Sequence, residues 1–260
     1  MPIRRTEAII LKSMKMGETS NLLTLYSRDF GLLKLIAKGA RQSRSRYGGL
    51  LQPLYVIEAI YYHKETRDLQ LLSQASLVWA PRQVQLDIEK LGLCLACCEM
   101  VLRLEGEGHG NPAAYGLLRA TLETFERAES NIRPLFLAFQ VRLLELLGFS
   151  PGMDHCFHCQ ERTIREGRYD FVNGRIYCRN CMSMALQGQT VTQDMIDAYR
   201  DLARLPLSSV ITKAFPKGAI AGVYRFLHDF FRYHLEEVRQ LNAIDVLKQL
   251  KSMQGAFSQA

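Results

Sequence analysis

Residues 156–181 read CFHCQERTIREGRYDFVNGRIYCRNC, in which two Cys-x-x-Cys pairs stand 18 residues apart. Each pair can turn two thiolates toward one metal ion, and this spacing is typical of a zinc site with four cysteine ligands. Tyr169–Val172 and Arg175–Tyr177 are β-prone, and Asn173-Gly174 between them is a two-residue hairpin signal. We therefore predict a zinc ribbon whose ligands are Cys156, Cys159, Cys178 and Cys181.

Four thiolates complete a tetrahedral shell, so the sequence predicts one structural zinc ion with no open catalytic position. The alternatives are a chance spacing or a redox-active dithiol pair. Zinc and four thiolates sum to a charge of about −2, which nearby arginines would offset. For that reason we do not assign these arginines to nucleic-acid binding: Arg162, Arg165, Arg168, Arg175 and Arg179.

Helical periodicity flanks the cysteine segment on both sides. Apolar residues between Val84 and Leu102 recur at alternating steps of four and three, and this stripe makes the neighbouring cysteines 94, 97 and 98 core residues. Asn111-Pro112 opens a second helix. Further helices are predicted from about residue 134 to 148, from 192 to 204 and from 217 to 241. The cysteine segment is thus inserted in a helical bundle.

The first 80 residues instead show short β-prone runs separated by turn residues. The expected strands are Glu7–Met14, Leu22–Ser27, Leu32–Ala37, Tyr55–His63 and Leu69–Ser73. Five short strands suit a small barrel, because closure removes exposed edges. We predict an α+β multidomain chain: an OB-type β-barrel over 1–80, a helical domain over 81–150 and 185–251, and the four-cysteine zinc finger over 151–184.

The formal net charge of +7 is concentrated in the barrel. Residues 1–80 carry 12 Lys+Arg and 6 Asp+Glu, a net of +6, whereas residues 81–260 carry 21 and 20, a net of +1. Positive charge gathered on one domain favours a polyanionic partner, nucleic acid first and an anionic membrane second.

A basic run in the predicted barrel is the candidate site for nucleic acid. Residues 34–49 mix Gly and Ser with a cation at every few positions and contain no acidic residue. Such a loop can lie along a phosphate backbone, although a merely solvated loop is the alternative. The predicted DNA-binding residues are Lys34, Lys38, Arg41, Arg44 and Arg46, with Arg4, Arg5 and Lys12 as an extension. Tyr55, Tyr61 and Tyr62 could stack on bases or pack in the core.

The search for an active site points away from an enzyme. The sequence has no G-x-S-x-G, H-E-x-x-H, Walker A or G-x-G-x-x-G motif, and its acidic and histidine residues show no spacing typical of a catalytic site.

No targeting or membrane segment is apparent in the sequence. The apolar stretch near the start ends before Lys12 and is too short for a signal peptide, and no apolar run is long enough to cross a bilayer. We expect a cytoplasmic binding protein.

Several stretches resemble the DNA repair and recombination mediators of the RecO family. The most specific is GLLKLIAKGAR at 31–41, followed by basic residues at 43–46 and LLQPL at 50–54. Matches continue through most of the chain, at residues 7–11, 17–20, 145–149, 224–227 and 233–235.

This resemblance implies an OB fold, a helical domain and an embedded zinc finger that this chain retains. It also implies that the protein binds single- and double-stranded DNA and anneals complementary strands. With RecR it would load RecA on DNA coated by single-stranded-DNA-binding protein, whose acidic, hydrophobic tail is a further partner. Phe226, Phe230 and Phe231 with neighbouring arginines could bind that tail, although core packing is the commoner use. Such a protein would be cytoplasmic and associate with the nucleoid during repair.

Two other function classes remain open at this point. A zinc-ribbon regulator would read DNA sequence through base edges rather than through a salt-dependent backbone contact. A zinc-containing nucleic-acid enzyme would need an open metal position or an acid/base cluster.

Overall fold

The computed structural model describes residues 2–106, 110–238 and 240–257. Within residues 2–80, five strands form a closed barrel. Their bounds are β1 Ile3–Met16, β2 Ser20–Ser27, β3 Gly31–Ala37, β4 Val56–Tyr62 and β5 Leu69–Trp79. The five predicted strands are thus confirmed, with ends that differ by up to six residues.

The barrel has the strand order β1-β2-β3-β5-β4 and closes through β4 and β1. β3 and β5 run parallel, and the other neighbouring pairs are antiparallel. Alternate residues point inward, as the pleat requires, and form a core that includes Ile10, Leu25, Leu35, Ile57 and Tyr61. This arrangement confirms the predicted OB-type barrel.

The described residues group into two compact units, one from 1–127 with 240–260 and the other from 128–239. The first unit combines the barrel with the helices α1 Ile88–Leu104 and α2 Pro112–Arg127, and with α7, Asn242–Phe257, near the end of the chain. These units are groups of residues in mutual contact, so they do not test where domains begin and end. The domain limits therefore stay a prediction: 1–80, 81–150 with 185–251, and 151–184.

A polar contact fixes α2 on the outer face of β1. The Glu7 carboxylate accepts hydrogen bonds from the Tyr115 hydroxyl at 2.8 Å and from the Arg119 guanidinium at 2.9 Å. Tyr26 of β2 packs against Tyr115, with ring centroids 6.3 Å apart. Lys12, five residues further along β1 than Glu7, is exposed.

Helix α1 begins at an Asp87 cap, whose carboxylate accepts from the backbone amides of Glu89 and Lys90. Cys94, Cys97 and Cys98 are buried in this helix, which confirms the prediction that they are core residues. Burial raises the pKa of all three thiols, so they behave as small apolar side chains rather than as nucleophiles.

The second unit contains the cysteine segment and the helices around it. Its helices are α3 Ile132–Leu146, α4 Gln193–Arg204, α5 Leu207–Val210 and α6 Ala219–His234. A sheet of order β7-β6-β8 is built from β6 Glu166–Asp170, β7 Arg175–Cys178 and β8 Gly188–Thr192. Tyr169 and Phe171 join it to α6 through Phe226, at centroid distances of 4.8 and 5.9 Å.

Two local expectations were wrong. The β6–β7 hairpin has a four-residue loop rather than a two-residue one, because Asp170 pairs with Arg175 and its carboxylate binds the backbone of the loop at Val172. Helix α6 ends at His234 instead of near 241, because Leu235 leaves helical geometry (φ −138°) and is buried. Neither β8 nor α7 was predicted.

The fold-class prediction is otherwise confirmed: a barrel is followed by a helical region that carries an inserted cysteine ribbon. Among the helices of the described residues, none combines the length and apolar character that crossing a bilayer demands.

Candidate metal centre and nucleic-acid face

The four predicted ligands meet at one point of the ribbon. The sulfur atoms of Cys156, Cys159, Cys178 and Cys181 all lie within 4.8 Å of one another. A tetrahedral zinc site with Zn–S bonds of 2.3 Å needs sulfur separations of about 3.8 Å, and the Cys159 and Cys178 sulfur atoms are 3.6 Å apart. The donor set and its spacing therefore fit one zinc ion.

The local backbone also favours a thiolate at Cys156. The Cys156 sulfur accepts a hydrogen bond from the Cys178 amide at 3.3 Å. Burial raises the pKa of Cys156, but hydrogen bonds from the backbone amides of Cys159, Cys178 and His158 outweigh burial and lower the pKa to about 6. Zinc binds the deprotonated form of cysteine. With this lowered pKa, the Cys156 thiol is mostly deprotonated at neutral pH and is ready to bind the metal.

The arginines around this centre make contacts within the ribbon. The Arg175 guanidinium lies 3.8 Å from the ring centroid of Phe157, and Arg179 stands 3.8 Å from Glu166. A cleft of about 600 Å³ beside Cys178 is lined by both signs of charge, Arg165 and Arg179 against Glu161 and Glu166. The ribbon surface is therefore electrically mixed rather than basic.

The five predicted DNA-binding residues lie on the barrel and are all exposed. Lys34 is on the outer face of β3, directly opposite Thr24 of β2, which in turn is opposite Lys12 of β1. Residues opposite one another in a sheet share a face. The outer surface of the barrel thus has a row of two cations with a threonine between them, Lys12–Thr24–Lys34, here called the cation row.

The loop from Lys38 to Arg46 continues this basic face at one end of the barrel. Arg41 fastens the loop to the β1–β2 turn: its backbone amide donates to the Thr19 carbonyl at 2.9 Å and its guanidinium to the Gly17 carbonyl at 3.1 Å. Arg41 therefore positions the loop, a role that its charge pattern alone did not reveal.

Tyr47 anchors the other end of the same loop. Its ring is only 2% exposed and belongs to the barrel core, and its hydroxyl donates to the Leu72 carbonyl at 3.1 Å. The Arg46 guanidinium donates to this hydroxyl at 2.9 Å and lies over the Tyr47 ring. Because both ends are fastened, the backbone of the loop is ordered before any ligand binds.

The proposed extension of the basic face divides into two groups. Lys12 joins the cation row, whereas Arg5 forms an ion pair with Glu58 at 2.7 Å and Arg4 lies over the ring of Phe30 at 4.9 Å.

The side chains of the three tyrosines and of the three α6 phenylalanines differ in their burial. Tyr61 is fully buried, Tyr55 packs against the barrel core, and Tyr62 is half-buried on the outer face. Phe226, Phe230 and Phe231 of α6 are at most 6% exposed, which confirms core packing as their use.

Comparison with known protein families decides the assignment. The family model described as "Recombination protein O N terminal" matches residues 1–80, and the one described as "Recombination protein O C terminal" matches residues 85–241. The chain belongs to the RecO family. This is a family of DNA repair and recombination proteins, as the resemblance in the sequence predicted.

Relatives named DNA repair protein RecO match along nearly their whole length. The Salinibacter ruber protein is 29% identical over 249 residues, which cover 96% of this chain and 95% of that protein. The Chlorobium luteolum protein is 30% identical over 261 residues, covering 95% and 98%. The Rubrobacter xylanophilus protein is 30% identical over 227 residues, covering 86% and 90%. RecO membership thus extends across both compact units.

Proposed function

We propose that this RecO-family protein is a non-enzymatic recombination mediator that binds single- and double-stranded DNA and anneals complementary strands. Its DNA contacts are assigned to Lys34, Lys38, Arg41, Arg44 and Arg46. The supporting observation is the fastened basic loop on an OB-type barrel, since an OB fold commonly binds oligonucleotides across its central strands and adjoining loops. Cations on this face would lower the repulsion between two phosphate backbones during annealing.

We further propose that Cys156, Cys159, Cys178 and Cys181 hold one structural zinc ion. When bound, the ion would cross-link the two cysteine pairs and supply folding energy to the ribbon. Four protein ligands leave no coordination position for substrate, which supports a structural role rather than catalysis. The domain limits 1–80, 81–150 with 185–251, and 151–184 belong to the same proposal.

The partners in this proposal are those that the resemblance to RecO proteins implies. With RecR, the protein would help to load RecA on DNA coated by single-stranded-DNA-binding protein, and it would bind the tail of that coating protein. We place this activity in the cytoplasm, at the nucleoid during repair.

Annealing of two complementary oligonucleotides by the purified protein tests the proposal. Quenching of a fluorophore pair should report annealing by the zinc-loaded protein without ATP and without added divalent metal, because positioning of phosphates needs neither. Cleavage of either strand would instead favour a zinc-containing nuclease. Tight binding restricted to one duplex sequence, with a weak salt dependence, would favour a sequence-reading regulator.

A further inference from the structure

One ligand of the candidate metal centre differs from the others in its exposure. Cys156, Cys178 and Cys181 are at most 7% exposed, whereas Cys159 is exposed. The seven cysteines of the chain all lie within the described residues, and Cys159 is the only exposed one among them. Every residue of the segment around it, from 157 to 163, is exposed as well. A small solute can therefore reach Cys159 directly.

Cys178, by contrast, is fixed in the sheet. It is the last residue of β7 and pairs with Gly167 of β6. Its backbone amide also donates to the Cys156 sulfur at 3.3 Å. The Cys159 sulfur lies only 3.6 Å from the Cys178 sulfur. An exposed cysteine thus stands beside a buried one that the sheet holds in place.

This pair of cysteines suits oxidation by a peroxide. The thiolate is the form of cysteine that reacts, and a cysteine that binds zinc does so as a thiolate. Among thiolates, susceptibility follows exposure, which favours Cys159 over the other three ligands. A sulfenic acid formed at Cys159 would lie next to the Cys178 sulfur, and a sulfenic acid condenses with a neighbouring thiol to a disulfide.

We propose that Cys159 is a site of oxidation by hydrogen peroxide and that Cys178 is its resolving cysteine. In the first step, the Cys159 thiolate attacks one peroxide oxygen, the O–O bond breaks and hydroxide leaves, which gives the sulfenic acid. In the second step, the Cys178 thiolate attacks the Cys159 sulfur, the S–O bond breaks and a second hydroxide leaves. Protons from solvent convert both hydroxides to water, so the peroxide gains the two electrons that the two sulfur atoms lose.

The disulfide would remove two of the four zinc ligands. This inference rests on the proposed zinc site and adds a reaction that opens it. Cys156 and Cys181 alone do not fill a tetrahedral shell, so the ribbon should lose its metal cross-link. A thiol reductant with added zinc should restore the site, because a disulfide is a reversible product of cysteine oxidation.

Titration of the zinc-loaded full-length protein with hydrogen peroxide tests the inference. A chromogenic chelator would measure released zinc, and mass spectrometry of non-reduced peptides would locate the disulfide after free thiols are alkylated. Cys159→His removes the exposed thiol but keeps a ligand, since zinc also binds three cysteines and one histidine. Cys181→His is the matched control, because it retains both reacting cysteines.

We expect about one zinc ion to be released for each disulfide formed, with Cys159 linked to Cys178 and the three cysteines of α1 unmodified. In peroxide, Cys159→His should release zinc about tenfold more slowly than the unaltered protein, whereas Cys181→His should release it at about the unaltered rate. A disulfide between other cysteines, or equal release from Cys159→His and the unaltered protein, would overturn the oxidation site and leave the zinc site intact.

The peptide map of the unaltered protein decides the outcome even if a variant fails to take up zinc. An absence of zinc from the untreated, unaltered protein would overturn the zinc site itself.

Discussion

The barrel and the ribbon are both rich in charged residues, but they differ in the balance of positive and negative charge. Residues 1–80 have a net charge of +6, whereas residues 151–187 have five arginines and four acidic residues. A bound zinc tetrathiolate of about −2 would make the ribbon slightly negative. Lys34, Lys38 and Arg44 of the barrel are exposed. Arg175 and Arg179 of the ribbon are exposed as well, and they contact Phe157 and Glu166.

This difference shows that the density of cations in a sequence does not by itself identify a nucleic-acid site. What distinguishes the two regions is the absence of acidic residues from the basic loop, together with the attachment of that loop to the barrel. We therefore assign DNA binding to the barrel and structural metal binding to the ribbon.

The largest effect should follow the loss of a cysteine ligand. In Cys156→Ser, the zinc content should fall from about one ion per chain to near none, because three thiolates do not fill a structural site. Limited proteolysis should then cleave within residues 151–187, while DNA affinity changes little. Metal analysis and mass spectrometry of the fragments would measure this. Cys97→Ser, in the core of α1, is the control that should keep its zinc.

Neutralising the basic face should produce the next largest effect. In a Lys34→Gln, Lys38→Gln and Arg44→Gln variant, the affinity for single-stranded DNA should fall at least tenfold at low salt. The slope of log K against log salt should flatten by about two, since each phosphate contact on a single strand contributes about 0.7. Titrations at several salt concentrations would measure both quantities.

The matched control removes the same charge from the ribbon through Arg162→Gln, Arg165→Gln and Arg179→Gln. We expect this variant to keep the unaltered salt slope. An equal loss of slope in both variants would remove the distinction between the two regions.

A moderate effect is expected at Asp170, which is fully buried where β6 ends. Its carboxylate accepts from the Val172 and Leu186 amides at 2.9 and 3.1 Å and from the Asn173 side chain at 2.8 Å. Asp170→Asn loses charged acceptors and should lower the free energy of unfolding by about 2 kcal/mol. Denaturant unfolding at neutral pH would measure the change.

The effect of Asp170→Asn on the free energy of unfolding should decrease at acidic pH. Burial raises the pKa of Asp170, but its hydrogen bonds outweigh burial and hold the pKa below its ordinary value. The stabilisation is therefore fully present above the ordinary carboxyl pKa of about 4 and is lost as pH falls through the lower folded value. The stability difference between Asp170→Asn and the unaltered protein should shrink in that acidic range; a constant difference would contradict the charged acceptor.

The smallest effect should come from Tyr47→Phe. Loss of the hydrogen bond to Leu72 should cost about 1 kcal/mol of stability and release the end of the basic loop. The affinity for single-stranded DNA should fall about two- to threefold, because the loop must then be ordered on binding. Tyr26→Phe, on the part of the barrel covered by α2, should affect stability without changing DNA affinity.

Much of this architecture could be predicted because its signals are local. The cysteine spacing predicted the cluster of four sulfur atoms, and apolar alternation predicted the strands of the barrel. Strand β8 was missed because Gly188–Thr192 has little apolar character of its own, and the residues of Glu166–Asp170 with which it pairs lie 18 or more positions earlier. The hairpin loop was misjudged because the Asp170 carboxylate, rather than the Asn-Gly pair, determines where β6 ends.

The candidate DNA-binding face shows a similar limit. Charge patterning identified Lys34 and the basic loop, but it could not show that the Arg41 guanidinium contacts Gly17 or that Lys12 lies in the same row as Lys34. Both features depend on strand register, which passes through a bulge between Ile10 and Lys12. A one-residue change in that register would turn Lys12 toward the barrel interior.

Photocrosslinking would test most directly whether the barrel, rather than the ribbon, binds DNA. A single strand containing 5-iododeoxyuridine would be irradiated in complex with the full-length protein, and the modified peptides identified by mass spectrometry. The account predicts crosslinks on the basic face of the barrel, in the peptides that carry Lys34, Lys38 and the loop that follows to Arg46. Crosslinks concentrated within residues 151–187 would contradict it.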